Sequence, residues 1–388
     1  MKFFHTADWH LGKIIQSVHM TEDQEYILRQ FVAAACEEKP DAIIIAGDVY
    51  DRAVPPTEAV DLLNSVFNEL VIELNIPVLA IAGNHDSPDR LEFGSRIMKD
   101  NGLYIAGRFR AVFEPVVLCD EYGPVHFYLV PYAEPGRVRH ALGDETIRTH
   151  DDAMRAVTAR IVENMDSKAR HVFVGHAFVT PTGEKEEGVE NASDAERPLS
   201  IGGAEYVHAR HFAPFHYTAL GHLHQAHHVG SEVIRYAGSP LKYSISEEHH
   251  RKGFYIVELD GQGKVRVEKR PLVPRRDMRT VSTTIEELET HERSDDYVFV
   301  KLLDENPVLS AMERVRTVYP NAMHVSQNLM ARQATELVAE RIEQPEKDDI
   351  ALFRAFYKEI RGMELTEEKE RIFREVLEEV FAKEGEKV

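Results

Sequence analysis

Asp8, His10, Asp48, Asn84, His176, His222 and His224 are the residues whose types and surroundings point to chemistry. They fall in five short motifs, each closing an apolar run: Asp8-Trp9-His10, Gly47-Asp48-Val49-Tyr50-Asp51-Arg52, Gly83-Asn84-His85-Asp86, Gly175-His176 and Gly221-His222-Leu223-His224. Two Asp, an Asn and four His form a mixed oxygen and imidazole set. Such a set suits Mn, Fe or Zn and is too rich in His for Mg or Ca alone. His222 and His224 alternate with Leu223, so on an extended segment both imidazoles face one side. Singly, each residue has an ordinary reading: Asp8 as a turn or helix cap, His10 as a surface histidine, Asn84 as a turn residue. Five motifs in order, each after an apolar strand, point jointly to a metal centre.

The elements that must position these motifs are legible from periodicity. Lys2–Thr6, Ala42–Ala46 and Pro77–Ala82 are short apolar runs of buried-strand type. Tyr26, Ile27, Phe31 and Ala34, and then Val60, Leu63, Phe67 and Leu70, recur with helical spacing between them. This βαβ pattern implies a mostly buried sheet covered by helices, and ligands of α/β sheets gather at the carboxyl ends of the strands. Later runs at Val125–Val130, His171–Gly175, Tyr217–Gly221, Val233–Ala237, Gly253–Leu259 and Val265–Lys269 carry fewer helices between them. They predict more antiparallel pairing and two sheets packed face to face with helices outside. Thr182–Pro198 reads as a polar surface loop. After the turn at 271–277 a second domain is expected, with strands at Arg279–Thr284, Tyr297–Leu303 and Met323–Ser326. Its helices are expected at Glu286–His291 and after Asn306–Pro307, where Asn caps and Pro occupies the first turn. From Pro345 onward, Leu352, Phe353, Phe356, Tyr357 and Ile360 line one helical face, and Ile372, Phe373, Val376, Leu377, Val380 and Phe381 another.

The chain has 388 residues, with 46 Lys and Arg against 66 Asp and Glu, a formal net charge of −20. Bulk charge therefore cannot draw it to nucleic acid, and any phosphate chemistry needs a local positive field from metal or a partner. Two cysteines, Cys36 and Cys119, cannot build a disulfide framework and suit a reducing, cytoplasmic setting. No apolar run approaches the roughly 18 residues of a membrane span.

The order DxH, GDxxDR, GNHD, GH, GHxH resembles the calcineurin-like metallophosphoesterases over roughly residues 1–269. HTADWHLGK, ERPLSIGG, GHLH and YAGSPLKYS more narrowly resemble the SbcD family of bacterial nuclease subunits. The resemblance implies an α/β fold, a four-layer α-β-β-α sandwich over 1–272, a small α+β capping domain over 273–344 and a C-terminal helical segment over 345–388. It implies two divalent ions, most simply Mn2+: one on Asp8, His10 and His224, the other on Asn84, His176 and His222, with Asp48 bridging. A bridging carboxylate holds two cations about 3.5–4 Å apart, and such a pair lowers the pKa of a water between them. His85 would serve to stabilise the transition state or as the acid that protonates a leaving oxygen, with Asp86 accepting a hydrogen bond to fix its tautomer and Asp51 as a further orienting group. The implied partners are DNA, a second copy of the chain and the coiled-coil ATPase SbcC, reached through the C-terminal helices in a heterotetramer. The implied activity is 3′–5′ exonuclease action on duplex DNA and endonuclease action on single-stranded or hairpin DNA, in recombination and repair.

Other readings stand beside this one: a small-molecule phosphodiesterase or phosphatase on the same site, or a scaffold whose metals only stabilise the fold. Arg52 resembles the phosphate-clamping arginine of protein phosphatases. Arg108, Arg110, Arg137 and Arg139 are basic islands that read as solvated charge by default and as DNA-backbone contacts otherwise. Tyr243 and Ser244 are expected near the crevice, while His249 and His250 resemble ligands by type only.

Overall fold

In the computed structural model, the described residues are 1–184, 205–327 and, beyond them, 353, 354, 357, 365, 366, 369–374 and 376. Two compact units result: Met1–Lys301 with Ser310–Ser326, and Leu302–Leu309 with Gln327–Val388.

The first unit is built on two six-stranded sheets. Strands β1 (Lys2–Thr6), β2 (Ala42–Ile45), β3 (Val78–Ile81) and β4 (Leu103–Ala106) run parallel as neighbours. The second sheet carries β5 (Val116–Asp120), β6 (Gly123–Val130), β7 (Arg170–His176), β8 (Tyr217–Gly221), β9 (His227–Val229) and β10 (Ser231–Tyr236) in the order β9-β10-β8-β7-β6-β5. Strands β11 (Gly253–Leu259) and β12 (Val265–Pro271) return to the first sheet, antiparallel, beside β1.

Period-two alternation sorts the side chains into layers. Phe3, Ile44, Leu79 and Ile81 meet Phe127, Val172, Val174 and Tyr217 in a core between the sheets. Their sequence neighbours Phe4, Ile43 and Ile45 face outward, onto Ile27 and Phe31 of α1 (Thr21–Glu38) and Leu63 of α2 (Thr57–Phe67). On the other side Tyr128, Phe173 and Leu220 face Val157 and Ile161 of α4 (His150–Glu163), which follows α3 (Pro135–Leu142). The result is the four-layer α-β-β-α sandwich. Tyr26 and Val60, read into the buried helical faces, are exposed.

As expected, antiparallel pairing enters with the later strands: β11 pairs so with β1 and β12, and two more such pairs flank the second sheet. Its centre, β6-β7-β8-β10, is parallel, and antiparallel pairs sit only at its edges. A parallel pair needs a crossover, and α3 and α4 supply it between β6 and β7. Thr149 caps α4 through a reciprocal capping box with Asp152.

Beyond β12, strands at Met278–Thr283, Tyr297–Leu302 and His324–Gln327 form a three-stranded sheet. The helix expected after Asn306–Pro307 begins only at Ala311 and runs to Val318. Asn306 instead spends its carbonyl on Gln327 Nε2, 2.6 Å away, within the second unit. There the Phe353 and Phe373 rings also stack, 3.7 Å between centroids, and Arg354 pairs with Glu370. Ile372 and Val376 are exposed. The loop over 185–204 and most of the expected C-terminal helical faces lie outside the described residues. Among the described residues no helix is long and apolar enough to cross a membrane.

One ion cluster ties the two sheets together. Asp120 accepts from both Arg170 guanidinium nitrogens (2.5 and 2.9 Å) and meets the terminal ammonium of Met1 at 2.6 Å. Arg170 also donates to the carbonyls of Gly123 and Leu259, one from each sheet. Arg170 and the N-terminus hold the Asp120 carboxyl well below the usual carboxylate range. A depressed native value contributes stability above the unfolded pKa near 4 and loses it as pH falls toward the native value. Asp120→Asn is therefore expected to cost about 2 kcal/mol at pH 7. The gap to the parent chain should narrow below about pH 4, as measured by urea midpoints at both pH values.

Candidate metal centre

The five motifs meet where β1, β2, β3, β7 and β8 end. The loops after β1 and β2 continue the parallel pairing past the strands: Asp8 N donates to Gly47 O, His10 N to Asp48 O and Leu11 N to Val49 O, all within 3.0 Å. To turn the side chains into the crevice, Asp8, His10, Asp48 and His222 adopt positive φ, the last at 109°. This conformation is uncommon for residues with a Cβ and clusters at functional sites. Gly83 is required for a steric reason, because a Cβ there would overlap the Asp48 carboxylate.

Asp8, His10 and His224 present ligand atoms within 4.8 Å of one another, and so do Asp8, Asp48 and His176. Asp48 Oδ2 lies 3.5 Å from His176 Nε2 and 3.7 Å from His10 Nε2, between the two groups. Asn84 Oδ1 joins at 2.9 Å from His176 Nε2. His222 donates its backbone N–H to Asp8 Oδ1 at 3.0 Å, and its ring centroid is 5.4 Å from that of His176. All seven residues are thus brought together.

The hydrogen bonds on the outer side of this cluster decide what its inner atoms can do. His176 Nδ1 meets the Ala46 carbonyl at 3.0 Å and His224 Nδ1 meets Glu247 Oε1 at 2.9 Å. A carbonyl and an ionised carboxylate can only accept, so each Nδ1 carries a proton and each Nε2 turns inward. The Nε2 atoms of His10 and His224 lie 3.1 Å apart, and His10 Nδ1 is buried with no hydrogen-bond partner among the described residues. Burial pushes the Asp8 carboxyl well above its ordinary range and the His10 and His222 imidazoles well below theirs. Burial also pulls His176 down, but the adjacent Asp48 carboxylate outweighs it and lifts the imidazole to about 9. Inward nitrogens and carboxylates that attract positive charge are what a divalent cation needs, so the donor set fits metal.

His85 occupies the flank of the cluster, its ring 4.6 Å from that of His10. The tautomer role expected of Asp86 is not what its carboxylate performs. That group accepts from the backbone N–H of Val49, Tyr50 and Gly83 at 2.9–3.1 Å, clamping two loops, and burial pushes it up to about 7. Its three partners are backbone amides, and the His85 ring nitrogen Nδ1 bonds elsewhere. The orienting bond is instead made by the main chain of Asp51, whose carbonyl lies 2.8 Å from His85 Nδ1. The Asp51 carboxylate goes to Lys13 at 2.8 Å. Arg52 is half exposed. Tyr243 is buried beside the cluster, its hydroxyl donating to the Trp9 carbonyl and accepting from Gln24 Nε2, and Ser244 caps the turn that carries Glu247.

Two residues escaped the sequence reading. Glu247 is fully buried and uses both oxygens, Oε1 on His224 and Oε2 on Lys252 Nζ at 2.5 Å. Lys252 Nζ further donates to the His224 carbonyl and to Ser239 Oγ. In the run Ser-Glu-Glu-His-His-Arg-Lys both read as solvated charge, and nothing local marks Glu247 apart from Glu248.

A family profile described as calcineurin-like phosphoesterase matches residues 1–225, and one described as the type 5 capsule protein repressor C-terminal domain matches 274–361. The chain belongs to the calcineurin-like phosphoesterases and, within them, to the SbcD family of nuclease subunits. Over 99% of its length it is 32% identical to the whole of a protein from Staphylococcus epidermidis named as the D subunit of nuclease SbcCD. Solved structures similar to it include TT1561 of Thermus thermophilus (TM-score 0.38, 13% identity, 69% of this chain and 98% of that one). Another is a dimetal phosphatase from Danio rerio (TM-score 0.40, 14% identity, 70% and 96%).

Removal of Glu247 frees the His224 ring to rotate and change tautomer. Glu247→Ala is expected to weaken Mn2+ binding 10- to 100-fold in calorimetric titrations. His85→Gln, outside the donor set, should leave the same titration unchanged.

Proposed function

We propose that this chain is a DNA nuclease subunit that cleaves phosphodiesters with two divalent cations, Mn2+ being the best match to its donor set. Asp8, His10 and His224 would hold one cation, Asn84, His176 and His222 the other, and Asp48 would lie between them. The carrying observation is the convergence of these seven side chains, with Nδ1 of His176 and of His224 each held by an outer acceptor so that Nε2 faces inward. When bound, the cations supply charge neutralisation for a phosphate and a water of lowered pKa.

The protein's own groups supply the rest. His85 donates its Nδ1–H to the Asp51 carbonyl, which leaves Nε2 as the atom that takes up or releases a proton toward the substrate. Its backbone N–H donates to Asp48 Oδ1 at 2.8 Å, so the acid and the central carboxylate are fixed to each other. Protonated at Nε2, His85 neutralises the leaving 3′ oxygen, in keeping with 3′–5′ exonuclease action on duplex ends and endonuclease action on single strands or hairpins. The relative from Staphylococcus epidermidis is named as part of SbcCD. By that kinship this chain would work in the cytoplasm as a dimer with the ATPase SbcC, docked through the segment from Pro345, in DNA repair and recombination. The exposed Ile372 and Val376 supply apolar surface for that contact.

The test sets a hairpin-ended duplex beside a chromogenic phosphodiester, with Mn2+ and with chelator. Metal-dependent cleavage of both is expected; turnover of the small diester alone would favour the small-molecule phosphodiesterase instead. His85→Gln should lower DNA cleavage by about 10²-fold or more. Asp48→Ala should lose bound metal along with turnover, read by metal analysis of the purified chain. Deletion from Pro345 should abolish co-purification with the ATPase and leave hydrolysis of the small diester intact.

A further inference from the structure

Beside the metal cluster the two sheets open into a second site. In the first sheet β4 lies next to β3, with Ile81 opposite Ala106 and Ala82 N donating to Ala106 O at 3.0 Å. The segment after Ala106 therefore leaves the sheet on the strand next to the one that carries the loop of Asn84 and His85. In the second sheet β6 lies next to β7, Val130 opposite Gly175, so Pro131 and Tyr132 emerge beside His176. Tyr132 N donates to Ala82 O at 2.9 Å and joins the two edges, and its ring centroid is 6.5 Å from that of His176. A cavity of about 270 Å³ is lined by these segments and by Arg96 and Lys99 of the helical turns that lead into β4. A narrower one, about 30 Å³, shares Phe109, Val130 and Pro131 with it and is also lined by Tyr132 and His176.

The lining of the larger cavity inverts the charge of the chain. Arg96, Lys99, Arg108 and Arg110 face it against one acid, Glu114. Arg108 pairs with Asp89 and Arg110 with Glu92. Arg96 and Lys99 have no ion pair among the described residues, in a chain of net charge −20. Tyr104, Phe109 and Phe113 supply aromatic surface, with the two Phe rings 6.0 Å apart. Cations alone would suit any polyanion. Cations interleaved with aromatic rings suit a strand whose bases are unpaired, because base faces stack on the rings while phosphates meet the charges. A double helix hides its base faces and is too wide for this cavity.

We propose that this cavity binds the single-stranded DNA that flanks the phosphodiester held at the metal cluster. The site rests on the nuclease reading above and names where its substrate strand runs. Arg96 and Lys99 contact phosphates, and Phe109, common to both cavities, stacks a base between the metal centre and the cationic pocket.

The experiment measures anisotropy of a fluorescent 12-nucleotide oligothymidylate and of a 12-base-pair duplex on the full chain, in chelator so that no cleavage occurs. The paired variant Arg96→Glu, Lys99→Glu is expected to weaken single-strand binding by tenfold or more. It should also reduce the slope of log K against log salt by about 1.4, two contacts at about 0.7 each. Phe109→Ala should weaken it about tenfold with the slope unchanged. Both variants should hydrolyse the chromogenic diester with Mn2+ at the parental kcat/KM. Parental single-strand affinity in the paired variant would overturn the site. So would an equal loss for strand and duplex, which means general surface charge, or complete displacement of the strand by equimolar thymidine monophosphate, which means a mononucleotide pocket. Failure of the parent chain to hydrolyse the diester with Mn2+ would instead count against the nuclease reading, separately from the cavity.

Discussion

The arrangement on which everything else depends is one that repels itself. Carboxylates and imidazole nitrogens that ordinarily keep water between them are packed within a few ångströms, buried, with lone pairs facing inward. Burial without water costs several kcal/mol for each such group unless a partner of opposite charge is found. Four of the residues also hold positive φ, at about 1–3 kcal/mol each for such strain. No local preference would hold this together. It is held by an apolar core between two sheets, whose strand ends leave the crevice no freedom to relax, and by acceptors behind the rings that forbid the imidazoles to turn away.

That constraint explains the placement of the polar groups one layer out. Asp86 fixes the loops after β2 and β3 to each other by taking three backbone amides, while His85 is oriented by the Asp51 carbonyl. Glu247 does for a side chain what Asp86 does for the backbone, and Lys252 neutralises it while gripping the carbonyl of the ring it orients. At the sheet ends, Asp120, Arg170 and the terminal ammonium make the same kind of multiple contact across the two sheets. In each case a buried charge is saturated by several donors or acceptors, the condition under which it is tolerated and specific.

Much of this was written plainly in the chain. The donor residues were legible because each follows a strand whose apolar run is unmistakable, and parallel strands deliver their carboxyl ends to one edge. Which strands of the second sheet run parallel was not, because a buried parallel strand and a buried antiparallel one have the same apolar run, and only the crossover tells them apart. Tyr26 and Val60 carried the right spacing and the wrong exposure, since helical periodicity fixes a stripe but not its width. The Asp86 role failed because sequence adjacency to His85 suggested contact, whereas neighbours on a tight loop point apart. Glu247 and Lys252 could not have been found, because their meaning lies in contacts with His224 and Ser239 that adjacent identical residues such as Glu248 do not share.

The charge of the chain and the chemistry of its edge are then parts of one design. A protein of net charge −20 repels a polyanion at long range, where screened charges still sum, and attracts it only where local positive charge is concentrated. The donor cluster concentrates such charge when its cations are in place, and the segments on either side of β4 do so through Arg96 and Lys99 before it and Arg108 and Arg110 after it. Phe109, which follows β4, lines a narrow cavity together with His176, so a strand held there is led toward the cluster. An acidic surface elsewhere then works in favour of specificity, since it denies the substrate any resting place except the edge at which it can be cut.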